Sequence, residues 1–406
     1  MKMSTINALP IEKTRIEIFE QIWDLVYKKY PLFKERDVDW FDIKNKYSGR
    51  IIGIDSYDRL YRCIDDMLLE LKDPHTRILS SPWFKPMIYP FLVMAINDDC
   101  YISHILAESS ELAPGMKILS VNGILIEDLK RTICNKFLFS SKNMQTVAFV
   151  NELMGGDLGD SVEIEATDGQ NVVVGRLAKQ DIGVITGVNL DSDDSLSNDY
   201  KREILKPCLV KIFDHGVGYI KILSFRYEGV VKTFKAALEQ CRKASSLIID
   251  VRGNHGGLIA ETVRIASIFT PRNKIIGYRL AKQGEREKIL VEPERDIDHD
   301  FRRIMLLCDE STMSSSEFIF LNALKGVDER IKLVGRQTAG LAHEATIYTL
   351  FDGTKLQITT FKYLTPEGRV MEEAGILPDL EVLNSVVLIT KQEDAQLDRA
   401  IELCRN

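Results

Sequence analysis

The stretch LIIDVRGNHGG, Leu247 to Gly257, decides how this chain is read. A short, wholly apolar run with β-branched residues ends in a Gly-rich turn, and the helical pattern GLIAETVRIASIF follows at once. An apolar run of that length bounded by turn residues suits a strand buried on both faces. From Val210 onward the same alternation recurs: GVGYIKILSF, VVKTFKAALEQCRKA, SLIIDV, GLIAETVRIASIF, IMLLC, SSEFIFLNALK and IKLVG read strand, helix, strand, helix, strand, helix, strand. That order predicts α/β layers. A long hairpin, ATIYTLFDGTKLQITTFKYLT, is expected to close the sheet, and a terminal helix, EDAQLDRAIELC, follows. The Gly-rich turn presents backbone N–H groups beside a helix N-terminus, which suits an anion or an oxyanion. It matches neither a dinucleotide fingerprint nor a Walker loop. By itself it is better explained as a strand-to-helix turn that needs glycine dihedrals.

A second stretch, CDESTMSSSEFIF, Cys308 to Phe320, places five hydroxyl side chains between Ser311 and Ser316. S-S-S-E has the form of a capping box, with Ser314 as N-cap and Glu317 reaching back. A serine between a buried strand and a helix is also where a hydroxyl is exposed for nucleophilic attack. Taken alone the stretch supports both readings.

The bulk composition narrows the function classes. The chain has 406 residues, which implies about two or three domains of roughly 150 residues. It is 45% hydrophobic and 28% charged, with a formal net charge of −7, so a nucleic-acid partner is disfavoured. The seven cysteines are scattered and contain no C-x-x-C, which fits reduced thiols in a cytoplasmic setting; an exported protein whose signal peptide has been removed is the alternative. No run of 18 apolar residues occurs, so no membrane span is expected.

Three regions are expected. Residues 1–82 read as helical: RIEIFEQIWDLVYKKY carries Ile16, Phe19, Ile22, Trp23, Val26 and Tyr27 on one stripe. YDRLYRCIDDMLLEL turns Leu60, Cys63, Ile64, Met67, Leu68 and Leu71 inward and ends at LKDPHTR, where Pro74 stops the helix. Residues 83–180 change to short strands with turns at Asn122-Gly123 and Asp168-Gly169, and read as a small β module. Residues 181–406 form the α/β core. Its opening stretch, up to residue 207, is polar and turn-rich and suits a linker.

In combination these motifs resemble the carboxyl-terminal processing and tricorn-type serine peptidases. LIIDVRGNHGG, LLCDESTMSSSEFIFLNAL, LVGRQTAG, DGTKLQITTFKYLTPEGR and GILPDLEV stand in that family's order over residues 210–385, and ELAPGMKILSVNG is similar to its PDZ module. The resemblance implies a crotonase-like (ClpP/crotonase) α/β core with a helical N-terminal region and an inserted PDZ-like β module. It implies Ser314 as nucleophile, with the N–H groups of Gly256 and Ser315 as oxyanion hole. It implies no metal and no cofactor. Its Ser/Lys branch carries a lysine where this chain has Leu341, and a glutamine where it has Ala345. The Ser-His-Glu branch offers His75 as base and Glu372 as its orienter; His343 is the rival base and Glu373 the rival orienter. With a histidine base, activity is expected to fall below about pH 6–7.

His255, Gly257 and His343 are expected to line the substrate cleft, whereas His104, His215 and His299 suit ordinary strand or loop positions. The Asp309–Glu310 and Asp193–Asp194 pairs read as solvated turns. The implied substrate is a polypeptide, with Tyr89–Ile96 as an edge for β-augmentation; a homo-oligomer is compatible with this. A second reading keeps the scaffold but not the chemistry: an inactive protein of the same fold that binds a peptide tail or a lipophile.

Overall fold

The computed structural model describes residues 11–83, 87–96, 99–106, 111–136, 142–155, 158–181, 207–294, 300–370, 372, 375–383 and 394–405. Most of the stretch read as a linker, together with Asp193, Asp194, His299 and Glu373, lies outside them.

The N-terminal region contains α1 (Ile11–Lys29), α2 (Trp40–Ile51) and α3 (Tyr57–Leu69). Asp39 caps α2 by accepting from the N–H groups of Phe41 and Asp42, and Ser56 caps α3. The buried face of α1 is Ile18, Phe19, Ile22, Trp23 and Val26, continued by Tyr30. This corrects the expected stripe at its edges, since Ile16 and Tyr27 are exposed. The face turns because α1 packs on α2, α3 and the strand Lys355–Leu364, and Trp23 and Trp40 each donate an indole N–H to the other's carbonyl at 3.0 Å.

A short strand, β1 (Arg77–Ser80), leads to β2 (Met87–Ile88), β3 (Phe91–Ile96), β4 (Asp99–Ile105), β5 (Lys117–Val121) and β6 (Ile124–Leu125). Helices α4 (Ile126–Lys136) and α5 (Lys142–Gly155) follow, then β7 (Ser161–Thr167), β8 (Val172–Ala178) and β9 (Gln180–Asp181). The sheet order is β3-β4-β5-β7-β8, with β6 paired to β5. Asn122 and Gly123 take positive φ at the expected hairpin turn. The two helices are a departure from an all-strand module. Ile126, Leu129 and Ile133 of α4, and Phe149 and Leu153 of α5, bury a helical stripe against the sheet. Strands β2 and β9 pair antiparallel, so the segment leaves the chain next to where it enters.

The remaining elements are β10 (Cys208–Phe213), β11 (Val217–Ile222), α6 (Val230–Gln240), β12 (Ser246–Asp250), α7 (Ile259–Ser267), β13 (Lys274–Ala281), β14 (Arg286–Val291) and β15 (Arg303–Cys308). A π-helix (Ser316–Leu321) runs into α8 (Asn322–Leu324), followed by β16 (Ile331–Gly335), β17 (Glu344–Thr349), β18 (Lys355–Leu364), β19 (Leu380–Glu381) and α9 (Ala395–Arg405). The central sheet is ordered β10-β11-β12-β15-β16-β19, parallel from β11 onward. Helices α6, α7 and the π-helix cover one face and α9 the other, which is why Leu247, Ile248 and Ile249 are all buried. The long hairpin does not close this sheet as expected. Strands β17 and β18 join β1, β13 and β14 in a second sheet, against which the N-terminal helices pack through Leu350, Leu356 and Ile358. Among the described residues no helix is long and apolar enough to cross a membrane, and all seven cysteines are free thiols.

Arg252 bolts α9 to the sheet. Its guanidinium contacts the fully buried Asp250 and also Asp394, 2.7 Å away in each case, and Asp250 further accepts from Tyr219 Oη at 2.8 Å. These partners hold the guanidinium firmly protonated despite its burial. Removing the cation leaves a buried carboxylate uncompensated. Arg252→Ala is expected to cost about 3–5 kcal/mol in chemical unfolding; a loss within 0.5 kcal/mol would show the bolt to be idle.

Candidate active site

Ser314 sits between β15 and the π-helix with φ +56°, a left-handed conformation that costs a non-glycine residue about 1–3 kcal/mol. The surroundings impose it. The Ser314 N–H donates to Leu341 O at 2.9 Å, and its carbonyl accepts from the N–H groups of Glu317 and Phe318 at 3.0 Å. The expected capping box is not formed. Glu317 turns into the interior, where both carboxyl oxygens lie 3.0 Å from Gly340 N, and the helix opens with a wide π turn instead. Glu317 thus ties down the loop whose Leu341 carbonyl holds Ser314. The structure also separates the hydroxyls. Thr312 bonds Val251 O and Asp309, Ser315 accepts from Thr262, and Ser316 bonds Asn254 Oδ1. Among the described residues the half-buried Ser314 hydroxyl has no partner.

The Gly-rich turn lies directly against it. A Cβ on Gly256 would stand 2.8 Å from both Ser314 Cβ and Ser315 N, so only glycine permits the approach. The N–H of Ser315 is one of the orphan donors of a helix start and has no acceptor among the described residues. The N–H of Gly256 is already given to Asn254 Oδ1 at 2.9 Å. The next N–H, that of Gly257, has no acceptor among the described residues; on either side of it the Gly256 carbonyl accepts from Phe225 N and the Leu258 N–H donates to Phe225 O. His255 is exposed at the edge of the turn. Crowding by its surroundings and the cations of Arg226 and Arg77 lower its pKa, with Asp309 opposing. Asp309 is no free surface carboxylate, because it accepts from the N–H groups of Gly253 and Ser311 and from the Thr312 hydroxyl.

His75, His343 and Glu372 are all buried. Glu372 Oε2 accepts from Ala342 N at 2.7 Å and lies 3.6 Å from His343 Nδ1; its other oxygen lies 3.9 Å from Arg36. The carboxylate near the His75 ring is instead Asp73, 4.0 Å from Nδ1. Asp73 also accepts from His75 N and from the hydroxyls of Thr76 and Thr359. The structure therefore brings Glu372 to His343, and Asp73 to His75. Leu341, at the lysine position, packs with Met313 and Ala339 against Val147 and Ala148 of α5. Sequence reasoning overlooked Asp73, Arg36 and Asn254. Only Asp73 left a signal, since Asp-Pro favours an Asx turn that orders the residues after it.

Burial dominates the titration of this cluster. It lowers both imidazoles below their ordinary range, with Asp73 opposing, and the two rings disfavour each other's charge. It raises Glu372 to about 8 against the pull of Ala342 N–H and Arg36. Glu317 rises to about 8 for the same reason. Within this cluster the proton-binding steps of Glu372 and Glu317 lie nearer neutrality than those of the two imidazoles.

Comparison with known proteins follows the same outline. Residues 216–382 match the sequence profile of Peptidase family S41, and residues 11–69 that of the Tricorn protease C1 domain. A carboxyl-terminal-processing protease of Synechocystis sp. is 26% identical over 98% of this chain and 89% of its own length. A probable CtpA-like serine protease of Staphylococcus aureus is 25% identical over 84% of this chain, which spans 64% of that protein. Among solved structures, mature CPAF complexed with lactacystin superposes with a TM-score of 0.72 at 14% identity, covering 97% and 98% of the two chains. The photosystem II D1 C-terminal processing protease gives 0.56 at 18% identity, covering 98% of each. At these identities the superpositions establish a shared mixed α/β fold.

A carboxyl whose pKa is raised on folding binds more protons in the folded state, so its contribution is full below its unfolded value and is lost as pH rises through the folded one. Glu317→Gln removes this term. Relative to wild type, the variant is expected to gain unfolding free energy between about pH 4.5 and pH 8, at up to roughly 1.4 kcal/mol per pH unit. Parallel stability curves across that range would refute the buried-carboxyl account.

Proposed function

We propose that Ser314 is the nucleophile of this serine peptidase, whose residues 216–382 match Peptidase family S41, with His75 as general base and Glu372 as the carboxylate that supports the base. The observation that carries the reading is the state of the hydroxyls. Three of the four other hydroxyls are spent on buried hydrogen bonds, while Ser314 is held on strained backbone with its hydroxyl free, beside two unclaimed backbone N–H groups. That is the arrangement acyl transfer needs: a nucleophile, and donors aimed where the carbonyl oxygen becomes negative.

In the first step the Ser314 oxygen bonds to the substrate carbonyl carbon as its proton passes to His75. In the second the His75 proton goes to the departing amine and the C–N bond breaks, leaving an acyl-enzyme that water resolves. We assign the oxyanion donors to Ser315 and the Gly-rich turn. In the resting geometry Gly257 N–H is the open donor there, and Gly256 N–H would contribute only by leaving Asn254. Gly257 and His255 line the substrate side of this proposal, whereas His343, expected there as well, is buried beside Glu372.

The fold reading is finer than mixed α/β. We take residues 181–406 as a crotonase-like core, residues 1–82 as its helical lead-in and residues 83–180 as a PDZ-like module. Strand β3, first in its sheet and packed beside α5, is the edge where an extended polypeptide tail would add.

A fluorophosphonate probe is expected to label the wild-type chain, and Ser314→Ala to abolish labelling. His75→Ala is expected to slow it by about 10²- to 10⁴-fold. Absence of labelling in folded wild type would favour the inactive, ligand-binding reading, and unchanged labelling of Ser314→Ala would remove the nucleophile assignment.

A further inference from the structure

Glu372 supports the base in the proposed mechanism, yet it lies against a different histidine. His343 Nδ1 stands 3.6 Å from Glu372 Oε2, beyond hydrogen-bond length but within reach of a small ring rotation. Both nitrogens of His75 and Nδ1 of His343 are buried without a hydrogen-bond partner. Three orphaned ring nitrogens in one interior cluster are expensive, and such groups persist where chemistry uses them. The other carboxylate, Asp73, is engaged by two hydroxyls at 2.6 Å on Oδ2 and by the His75 backbone N–H on Oδ1, and it lies 4.0 Å from His75 Nδ1.

We propose that His343 is a positioning residue that links Glu372 to His75, so that Glu372, His343, His75 and Ser314 form one hydrogen-bonded line. Glu372 accepts from His343 Nδ1–H, and His343 Nε2 accepts from His75 Nδ1–H. His75 Nε2 is then left unprotonated to take the Ser314 proton. Only that proton moves, from Ser314 to His75 and on to the leaving amine; the two Nδ1 protons stay in place. This inference rests on the Ser314–His75 reading.

The line is competent when Glu372 is ionised and both rings are neutral. Glu372 is faced by Arg36 and Tyr30 from the N-terminal region, Asp73 from the turn before β1, Glu317 from the π-helix, and His343. Lys362 of β18 acts on His343. Burial and the neighbouring carboxylates outweigh Arg36, so the acid limb of activity is set by the carboxyl and lies above the imidazole range.

The test is the rate of fluorophosphonate labelling of the full chain between pH 5 and pH 9. His343→Ala is expected to slow labelling by about 100-fold, below the ~10⁴-fold loss caused by neutralising a carboxylate that touches its histidine directly. The rise with pH should vanish in His343→Ala and in Glu372→Gln. The double variant should be no slower than the slower single, as for two members of one line. If His343→Ala does not fold, His343→Gln is read instead, with the same loss of the pH limb expected. Wild-type rate and wild-type limb in a folded His343 variant, with Ser314 and His75 still required, would overturn the link and leave the Ser314–His75 reading intact. Labelling that needs His343 but survives His75→Ala would overturn both.

Discussion

The side chain of Asn254 is the joint on which the site depends. Fully buried, it donates to Ile222 O at 2.8 Å and accepts from Gly256 N at 2.9 Å and from Ser316 Oγ at 2.7 Å, while the main-chain carbonyl of Asn254 accepts from Met313 N at 3.1 Å. Side chain and main chain of this one residue thereby fasten the end of β11, the Gly-rich turn and both flanks of Ser314. A buried amide left partly unsatisfied would cost more than each of these bonds returns singly, so the three segments are held together or not at all. The contact distance of 2.8 Å that a Cβ on Gly256 would make with Ser315 N is a consequence of that joint.

Around the joint, charge is arranged by exclusion of water. Asp73, Glu317, Glu372, His75 and His343 are all removed from solvent, with Arg36 as the cation near Glu372. Burial pushes Glu317 and Glu372 up and the imidazoles down, which favours the uncharged form of each of these four groups. Leu341 packs with Met313 and Ala339 and carries no titratable group, so proton transfer is left to the histidines and carboxylates.

Much of the fold was legible. The apolar runs of β11, β12, β15 and β16 and the helical stripes between them follow from burial on both faces of a parallel sheet, a local property of composition and period. The misreadings concern partners far apart in sequence. S-S-S-E has the spacing of a capping box, yet Glu317 finds Gly340 from 23 residues away. The long hairpin has the pattern of a sheet closure, yet its partners are β1 and β13, and pairing choice leaves no mark in alternation alone. The Gly256 N–H, expected as an oxyanion donor, is given to the side chain of Asn254, a partner two residues away that the spacing alone does not reveal.

What the sequence by itself determined was the set of residue types and their order: an α/β core, a Gly-rich turn after a buried strand, a serine before a helix, a histidine after Asp-Pro, and a leucine where a lysine was expected. What only the tertiary structure decided was which of these meet. Residues 75, 314, 343 and 372 come from four segments, and the 3.6 Å between Glu372 and His343, like the 4.0 Å between Asp73 and His75, is set by packing of two sheets and the N-terminal helices. The reason is physical. Local pattern encodes which face of an element avoids water, but hydrogen-bond length and desolvation depend on distances between elements, and those are fixed only when the core closes.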